Sequence, residues 1–507
     1  MNRYVSSPGA NLTQATSGAR TPRQSQPTNS RPASGRKAYL IALGVAQGSA
    51  FIRSIVLARL LGPEQMGLAA IIVVTAQFFD SITDTGNDRF LIQDRNGASA
   101  DSLQLVHLVA ILKGTLIALL LIILARPIAW FTAAPETASA LIGLALVPFL
   151  NGFMNYGFRV AQRHHQFGPE AKVMLVSEIA GLAATVVAAF ELRNFTAILY
   201  GLAFRAAVGA IASHLVASQS YRPRFSMQTA KRLWRFSAPL ALNGLLIFVA
   251  TQSDRVIISR HLGLSELGRY TVILLIGLYP SLTLMKFVSA LYLPRIAGAR
   301  DEPPNMRRIS DQLEGGTVLL AAFVAVGFSI AVPSMLPFIF GSKFMSTTLS
   351  ITLLGLVVSW RMLKTAPTVV AIAIGRTTIL FANNLLRLSG ILGAIAGLRL
   401  IGGIGGVAAG LIIGEVIANV AATIMVCRST HWSFAGAARR YGFALIVGAA
   451  LIFRGWASDQ RFVMLATIAT TISVAALLIG VLRERRTVNE FVILMRRSMK
   501  TPSRGTA

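Results

Sequence analysis

The sequence predicts an all-α polytopic membrane protein. It reads as about fourteen transmembrane helices, with two parallel six-helix repeats (lobes) around a central cationic cavity and two extra C-terminal helices. Three observations carry that expectation. The chain is 54% hydrophobic and only 13% charged, with a mean hydropathy of +0.62, whereas soluble domains carry roughly 25% charged residues. Its apolar residues fall in blocks of about 18–25, the length that crosses a bilayer. And one phrase is used twice, each time between two long apolar runs.

The first copy of that phrase runs from Arg53 through Arg59 and Gly62 to Met66-Gly67-Leu68. The second runs from Asp254-Arg255 through Arg260 and Gly263 to Leu267-Gly268-Arg-Tyr270. Arg59 and Gly62 match Arg260 and Gly263, and Met66-Gly67 match Leu267-Gly268 at the same offset. This is one turn built twice, joining the first two membrane helices of two related halves.

In chain order, residues 1–37 are rich in Ser, Thr, Pro, Gln and Arg and read as a disordered basic cytoplasmic tail. No apolar segment follows the start directly, so the tail is not a signal peptide. Apolar runs then lie near 39–61, 66–86, 104–125, 138–158, 172–191, 196–217, 236–257, 268–293, 315–335, 347–372, 378–400, 404–427, 440–456 and 462–482. The first six form an N-lobe over 38–217 and the next six a C-lobe over 236–427. Six is even, so both repeats enter from the same side and are parallel. The runs within 440–482 fall outside the repeat, and 483–507 is a second basic tail.

The net charge of +28 fits the positive-inside rule. Arg36-Lys37, Arg89 with Arg95, Arg159 with Arg163, the 222–235 cluster, Arg295 to Arg308 and Arg428 to Arg440 all fall in alternate loops, which puts both termini in the cytoplasm. No interleaved basic and aromatic platform points to nucleic acid. The linker at 218–235, with the stretch Met227–Phe236, mixes Lys231, Arg232 and Arg235 with Leu233, Trp234 and Phe236. It is expected to lie along the inner leaflet, as is Val488–Lys500.

Nothing in the chain reads as an enzyme. No phosphate loop, HExxH or GxSxG sequence occurs, no cofactor is implied, and no loop is long enough for a catalytic domain. The single cysteine, Cys427, forms no internal disulfide, and His164-His165 sits in a basic loop rather than a metal site. The informative residues are charges inside apolar runs: Arg53, Asp80, Asp84, Lys113, Glu178, Arg205, Asp254, Arg255, Lys286, Arg361, Lys364, Arg387 and Glu415. Each costs about 2.5–3.5 kcal/mol at the bilayer centre even on the lenient insertion scale. They must therefore face a wet cavity, pair, or snorkel from helix ends.

Basic residues outnumber acidic ones in that set, so the interior is expected to be cationic and to suit an anionic substrate. Arginine matches phosphate because its planar fork binds two oxygens. Arg53, Arg205, Arg255, Lys286, Arg361, Lys364 and Arg387 are the substrate-binding candidates. Asp254 and Arg255 project about 100° apart and are not expected simply to pair. Arg361 and Lys364 share a face, either toward the cavity or toward inner headgroups. Asp84, Asp254, Glu178 and Glu415 are the gate or ion-coupling candidates. Arg59 and Arg260 sit at outer helix ends, where structural and headgroup roles dominate. The Gly402–Gly414 cluster reads as close helix packing, and Pro280 and Pro367 as candidate bends.

The opening, Arg36–Gly67 followed by Asp84-Thr-Gly86 and Phe90-Leu91-Ile92-Gln93, resembles polysaccharide-exporting membrane proteins, the Wzx-like oligosaccharide flippases. LARLLGPEQMGLAA (57–70) is especially close. Phe236-Ser-Ala-Pro239, Asp254-Arg255, Leu262-Gly263 and Leu267-Gly268-Arg-Tyr270 are similar to that family's second repeat. The chain departs from the pattern in its long N-terminal tail and at Asn87-Asp88-Arg89. The resemblance implies the multidrug/oligosaccharidyl-lipid/polysaccharide exporter superfamily, with two lobes rocking around a cavity. It also implies movement of a polyprenyl-pyrophosphate-linked oligosaccharide across a bacterial inner membrane, for O-antigen, capsule or exopolysaccharide. The implied partners are that lipid-linked oligosaccharide, membrane lipids, a polysaccharide polymerase and glycosyltransferases. A multidrug or small-solute antiporter of the same fold would want an acidic cavity, a lipid II flippase would be essential to its host, and a non-transporting scaffold would depend on the basic tails.

Overall fold

A computed structural model describes residues 32–82, 86–430, 432–485, 489, 490 and 493. The expected disordered tail over 1–31, Asp84, and most of 486–507 lie outside the described residues. Among the described residues the chain is helical throughout, with no strand. The helices are α1 (Pro32–Leu61), α2 (Pro63–Ile82), α3 (Asn87–Gln93), α4 (Ala100–Phe131), α5 (Ala138–Leu144), α6 (Leu146–Gly152) and α7 (Gly157–Arg163). Then come α8 (Gly168–Leu192), α9 (Ala197–Val216), α10 (Met227–Leu262), α11 (Leu264–Gly298), α12 (Pro303–Ile339) and α13 (Thr348–Leu363). The rest are α14 (Thr365–Ala373), α15 (Thr378–Arg387), α16 (Ser389–Leu400), α17 (Gly403–Ser429), α18 (Phe434–Asp459) and α19 (Val463–Arg483).

Among the described residues thirteen helical stretches, two of them the interrupted α13–α14 and α15–α16, are long and apolar enough to cross a membrane, and a bent pair makes fourteen when taken as one span. The bent span is the expected fourth run, where Pro135–Gly152 and Gly157–Arg163 meet at 55°. Pro148 has no N–H to give the Leu144 carbonyl, which interrupts the first arm at Ala145, while the 55° bend falls at the later break between Gly152 and Gly157. At the second break, neighbouring side chains take up the freed backbone: Asn155 N donates to Ser213 Oγ (2.8 Å) and Tyr156 N to His107 Nε2 (3.1 Å). Irregular backbone inside a membrane protein needs such partners. Pro367 likewise coincides with the break between α13 and α14, whereas Pro280 lies within the uninterrupted α11.

Two boundaries differ from the sequence expectation. Helix α1 begins at Pro32, so the end of the expected tail is already helical. The stretch Met227–Phe236 is not a separate surface segment but the first turns of α10, a 36-residue helix. At 1.5 Å per residue such a helix is about 54 Å long, well beyond the ~30 Å hydrocarbon core. Its basic and aromatic residues therefore mark a helix leaving the membrane. Leu233 is buried against Phe90, Leu103 and Val106, while Trp234 is exposed.

Large apolar side chains such as Ile123, Leu215 and Leu400 are exposed on the outside of the bundle, as expected of lipid-facing helices. Burial cannot drive helix association in lipid, so close approach of small residues does much of that work. Helices α16 and α17 show it: a Cβ on Gly410 would lie 1.9 Å from the Gly393 carbonyl oxygen, and one on Gly406 2.3 Å from that of Gly397. The glycine cluster read from sequence is this helix contact. Arg440 on α18 ties the C-terminal pair to α12 through Asp311 (3.0 Å) and Glu314 (2.8 Å).

The duplicated phrase is where the halves meet. Gly62 and Gly263 both take positive φ, 83° and 88°, in the turns α1–α2 and α10–α11, a conformation glycine adopts without penalty. The two turns then pack on each other reciprocally. A Cβ on Gly67 would lie 2.1 Å from the Leu264 carbonyl oxygen, and one on Gly268 1.8 Å from that of Pro63. Those two contacts exchange under the alignment of the copies. So do two arginine caps. Arg59 donates to the Ile339 carbonyl (2.8 Å) and to that of Phe338 at the end of α12, while Arg260 donates to the Phe131 carbonyl (3.1 Å) at the end of α4. Each cation thus reaches the negative end of a helix in the opposite half.

Candidate functional site

The intramembrane charges gather into two networks. In the first, Glu178 on α8 is 4% exposed and engaged by two arginines. Arg205 on α9 reaches its Oε1 at 2.7 Å, and Arg53 on α1 reaches Oε2 at 3.4 Å. Ser49, about one turn before Arg53, donates to the same Oε2 at 3.2 Å. Arg53 is buried, but half of the Arg205 side chain stays accessible.

The second network is built on α10, α11, α13, α15 and α17. Glu415 accepts from Arg361 Nε (3.0 Å) and from Arg387 Nη2. Asp254, 1% exposed, accepts from the Tyr270 hydroxyl and lies 3.6 Å from Arg361 Nη2. Arg361 therefore stands between two carboxylates and does not reach for headgroups. Arg255 bends back on its own helix, donating to Gln252 Oε1, and also lies 3.8 Å from Asp254. The expectation that the two neighbours would not pair is thus corrected: rotation about the helix separates their Cβ atoms, but the long guanidinium arm closes the gap. The Lys364 ammonium makes no hydrogen bond or ion pair among the described residues and lies within electrostatic reach of Glu415, Arg387 and Arg361.

The networks adjoin. Tyr279 on α11 lies within electrostatic reach of Arg53 and Glu178 from the first and Arg255 from the second. Gln252 Nε2 donates to Gln77 Oε1 (2.5 Å), linking α10 to α2 beside Arg255. Asn384 Nδ2 donates to Asn243 Oδ1 (3.1 Å), linking α15 to α10.

Among the described residues, the ion pairs of Arg53, Arg205, Arg255, Arg361 and Arg387 are made to three carboxylates, Glu178, Asp254 and Glu415, with Lys364 beside them. The imbalance is visible atom by atom. Arg53 Nε, Arg361 Nη2, and Arg387 Nε and Nη1 are buried with no hydrogen-bond partner among the described residues, against one unpartnered carboxylate oxygen in the same networks, Glu415 Oε2. Buried donors are rarely left so. Chemically, the arrangement is a set of fixed guanidinium donors short of acceptors, which an anion with several oxygens would supply.

Residues 56–349 match the family described as polysaccharide biosynthesis protein. The chain belongs to that family. This family member is 30% identical over 306 residues to the succinoglycan biosynthesis transport protein ExoT of Rhizobium meliloti (strain 1021), covering 58% of this chain and 60% of that one. It is 24% identical over 319 residues to the lipopolysaccharide biosynthesis protein WzxC of Escherichia coli (strain K12), covering 62% and 64%. The matches thus span about three fifths of these relatives' length. In fold, it is similar to the lipid II flippase MurJ in an inward closed conformation, with a TM-score of 0.67, 15% identity, and coverage of 90% of this chain and 99% of that one. It is also similar to an inward-facing multidrug resistance MATE family transporter of the MOP superfamily, with a TM-score of 0.58, 13% identity, and coverage of 77% and 98%.

Of the substrate-binding candidates read from sequence, all but Lys286 join the two networks or lie against them. Lys286 is exposed and joins neither among the described residues. Glu178 and Glu415, read as ion-coupling residues, each hold two arginines, and Asp254 is shared between Tyr270 and Arg361. Sequence reasoning missed Tyr270, Tyr279, Gln77 and Gln252. The signal for the glutamines and Tyr279 was available: polar groups in otherwise apolar runs.

Proposed function

We propose that this chain is a flippase. It moves a polyprenyl-pyrophosphate-linked oligosaccharide from the cytoplasmic to the outer leaflet of a bacterial inner membrane for surface polysaccharide synthesis. The observation that carries the reading is the surplus of buried, acceptor-poor guanidinium groups where the two networks adjoin. Family membership and the similarity to transport proteins of polysaccharide synthesis support it. Arg53, Arg255, Arg387 and Lys364 hold the pyrophosphate, and Arg205 and Arg361 extend the cationic lining. Glu178, Asp254 and Glu415 hold those cations in place between substrates. The prenyl chain stays in lipid. The protein does no covalent chemistry, and the glycosyltransferases and polymerase of the pathway act before and after it.

In this reading 38–217 and 236–427 are lobes that rock about the cavity, and 218–235 connects them. Both termini are cytoplasmic by the basic-loop bias, so the twin turns lie on the outer side. Their mutual packing closes the cavity outward, and transport requires that contact to part. A cation-exporting antiporter would need the opposite charge balance, a surplus of carboxylates.

The test is a deletion host complemented with wild type, Arg255→Ala or Lys364→Ala, read by lipid extraction. Accumulated polyprenyl-linked oligosaccharide and lost surface polysaccharide, rescued by wild type and by neither variant at matched protein levels, is the expected result. Intact surface polysaccharide in the deletion host, with no accumulated lipid-linked sugar, would overturn the proposal.

A further inference from the structure

At the end of the second half opposite the twin turns lies a cavity of about 270 Å³ whose wall contains none of the residues of the two charge networks. It is walled by Arg300 after α11, Arg307 and Ser310 on α12, Arg376 between α14 and α15, and Ser429 and Thr430 at the end of α17. No carboxylate lines it. The Arg300 side chain has no hydrogen bond or ion pair among the described residues, and Arg307 comes only to 3.9 Å of Asp311. That carboxylate is already engaged by Trp432 Nε1 (3.1 Å) and Arg440 (3.0 Å). Arg376 is fixed in place by Ser429 Oγ, to which its Nη1 donates at 2.7 Å. Three guanidinium groups from three segments thus converge without a counter-charge in the wall.

A second, independent feature points into the same space. Ser310 is fully buried, lines the cavity, and its hydroxyl has no partner among the described residues. An orphaned hydroxyl in a wall shared with three arginines is free to take a partner from a ligand in the cavity. The N-terminus of the 37-residue α12 opens at Pro303 in the same wall and adds positive potential.

We infer that this cavity is a binding site for a phosphate mono- or diester, held by Arg300, Arg307, Arg376 and the Ser310 hydroxyl, separate from the central cationic networks. Guanidinium forks match tetrahedral oxyanions. The volume is below the ~300–1,000 Å³ of sites for drug-sized ligands, so it admits a phosphate with a small substituent, not a lipid-linked oligosaccharide. Two sources share that chemistry: the headgroup of an anionic phospholipid and a small soluble phosphate compound.

The experiment uses the full-length purified protein in nanodiscs. One arm titrates inorganic phosphate calorimetrically in zwitterionic nanodiscs. The other follows retention of phosphatidylglycerol by native mass spectrometry. Wild type is expected to bind one of the two probes saturably. Arg300→Gln should weaken that binding about tenfold, as expected for one charge-assisted contact, and Arg300→Gln/Arg376→Gln should abolish it. Because the Arg300 side chain is exposed and makes no hydrogen bond or ion pair among the described residues, the single variant keeps the fold and the test stands if the double variant does not. Phosphate binding identifies a soluble ligand, and retention of the lipid alone identifies a headgroup. Binding of neither probe by wild type, or equal binding by Arg300→Gln, would overturn the inference.

Discussion

A methyl group added at both Gly67 and Gly268 drives a wedge into each side of the symmetric contact between the twin turns. The added Cβ atoms would lie 2.1 Å from the Leu264 carbonyl oxygen and 1.8 Å from that of Pro63. Carbon–oxygen contacts in proteins settle at about 3.3 Å or more, so α2 and α11 must separate by more than about 1 Å. The obstructing atoms are backbone and have no rotamer to yield. Overpacking of this kind costs about 1–3 kcal/mol, which corresponds to roughly a 5- to 150-fold shift between two conformations. The parted arrangement escapes the clash, so the equilibrium moves toward it. Spin labels at Glu64 and Ser265, both exposed and equivalent in the two copies, report the separation once Cys427 is changed to Ser. Gly67→Ala/Gly268→Ala should move the distance distribution to longer values and expose the cavity from the outer side. An unchanged distribution in a folded variant would refute the reasoning that this contact is a closed gate.

Further predictions concern the networks and the packing. Glu415→Gln leaves Arg387 with no ion pair and Arg361 with Asp254 alone, and should destabilise the fold by about 3–5 kcal/mol, read by thermal unfolding in detergent. Lys364→Gln breaks no ion pair, so its unfolding temperature should match wild type while export of surface polysaccharide falls at least about tenfold; a stability loss with normal export would reverse that assignment. Gly410→Val should prevent α16 and α17 from approaching and remove folded protein from the membrane, as followed by fluorescence-detected size exclusion.

The fold was largely legible because bilayer thickness imposes one length on every span: thirteen of the expected runs fall on helices long and apolar enough to cross, and the fourth run on the bent pair. The twin phrase was legible because both copies solve the same turn problem with a glycine at positive φ. The partners of the charges were not. Glu178 meets Arg53 across more than a hundred residues of chain, and Asp254 meets Arg361 likewise; no local periodicity encodes such pairs. Tyr270 was invisible because a buried tyrosine in an apolar run looks like packing until its hydroxyl is found on Asp254. The opening of α10 was misread for a different reason. Lys, Arg and Trp gather at the membrane surface whether a helix lies along it or passes through it, and composition does not separate the two.

Arg59 and Arg260, read from sequence as structural or headgroup residues, are structural caps, and in the proposed mechanism they connect the gate to the site. Helix α1 carries Arg53 in the first network and Arg59 in a cross-half cap; α10 carries Arg255 in the second and Arg260 in the reciprocal cap. Each pair is five or six residues apart, about 8–9 Å along one helix. A rigid-body movement of either helix therefore shifts a site cation and a gate contact together. Because the caps are exposed, each is worth nearer the low end of the ~0.5–1.5 kcal/mol of a net hydrogen bond, so Arg59→Gln/Arg260→Gln should favour the parted turns by about 1 kcal/mol, roughly fivefold. Linkage is reciprocal for binding: the same factor must appear in the affinity of the closed-outward form for a pyrophosphate headgroup. We predict that the double variant lengthens the Glu64–Ser265 distance and weakens binding of a short-chain prenyl pyrophosphate by a matching amount. A lengthened distance with unchanged affinity would mean that gate and site move independently, and the shared helices would then be only scaffolding.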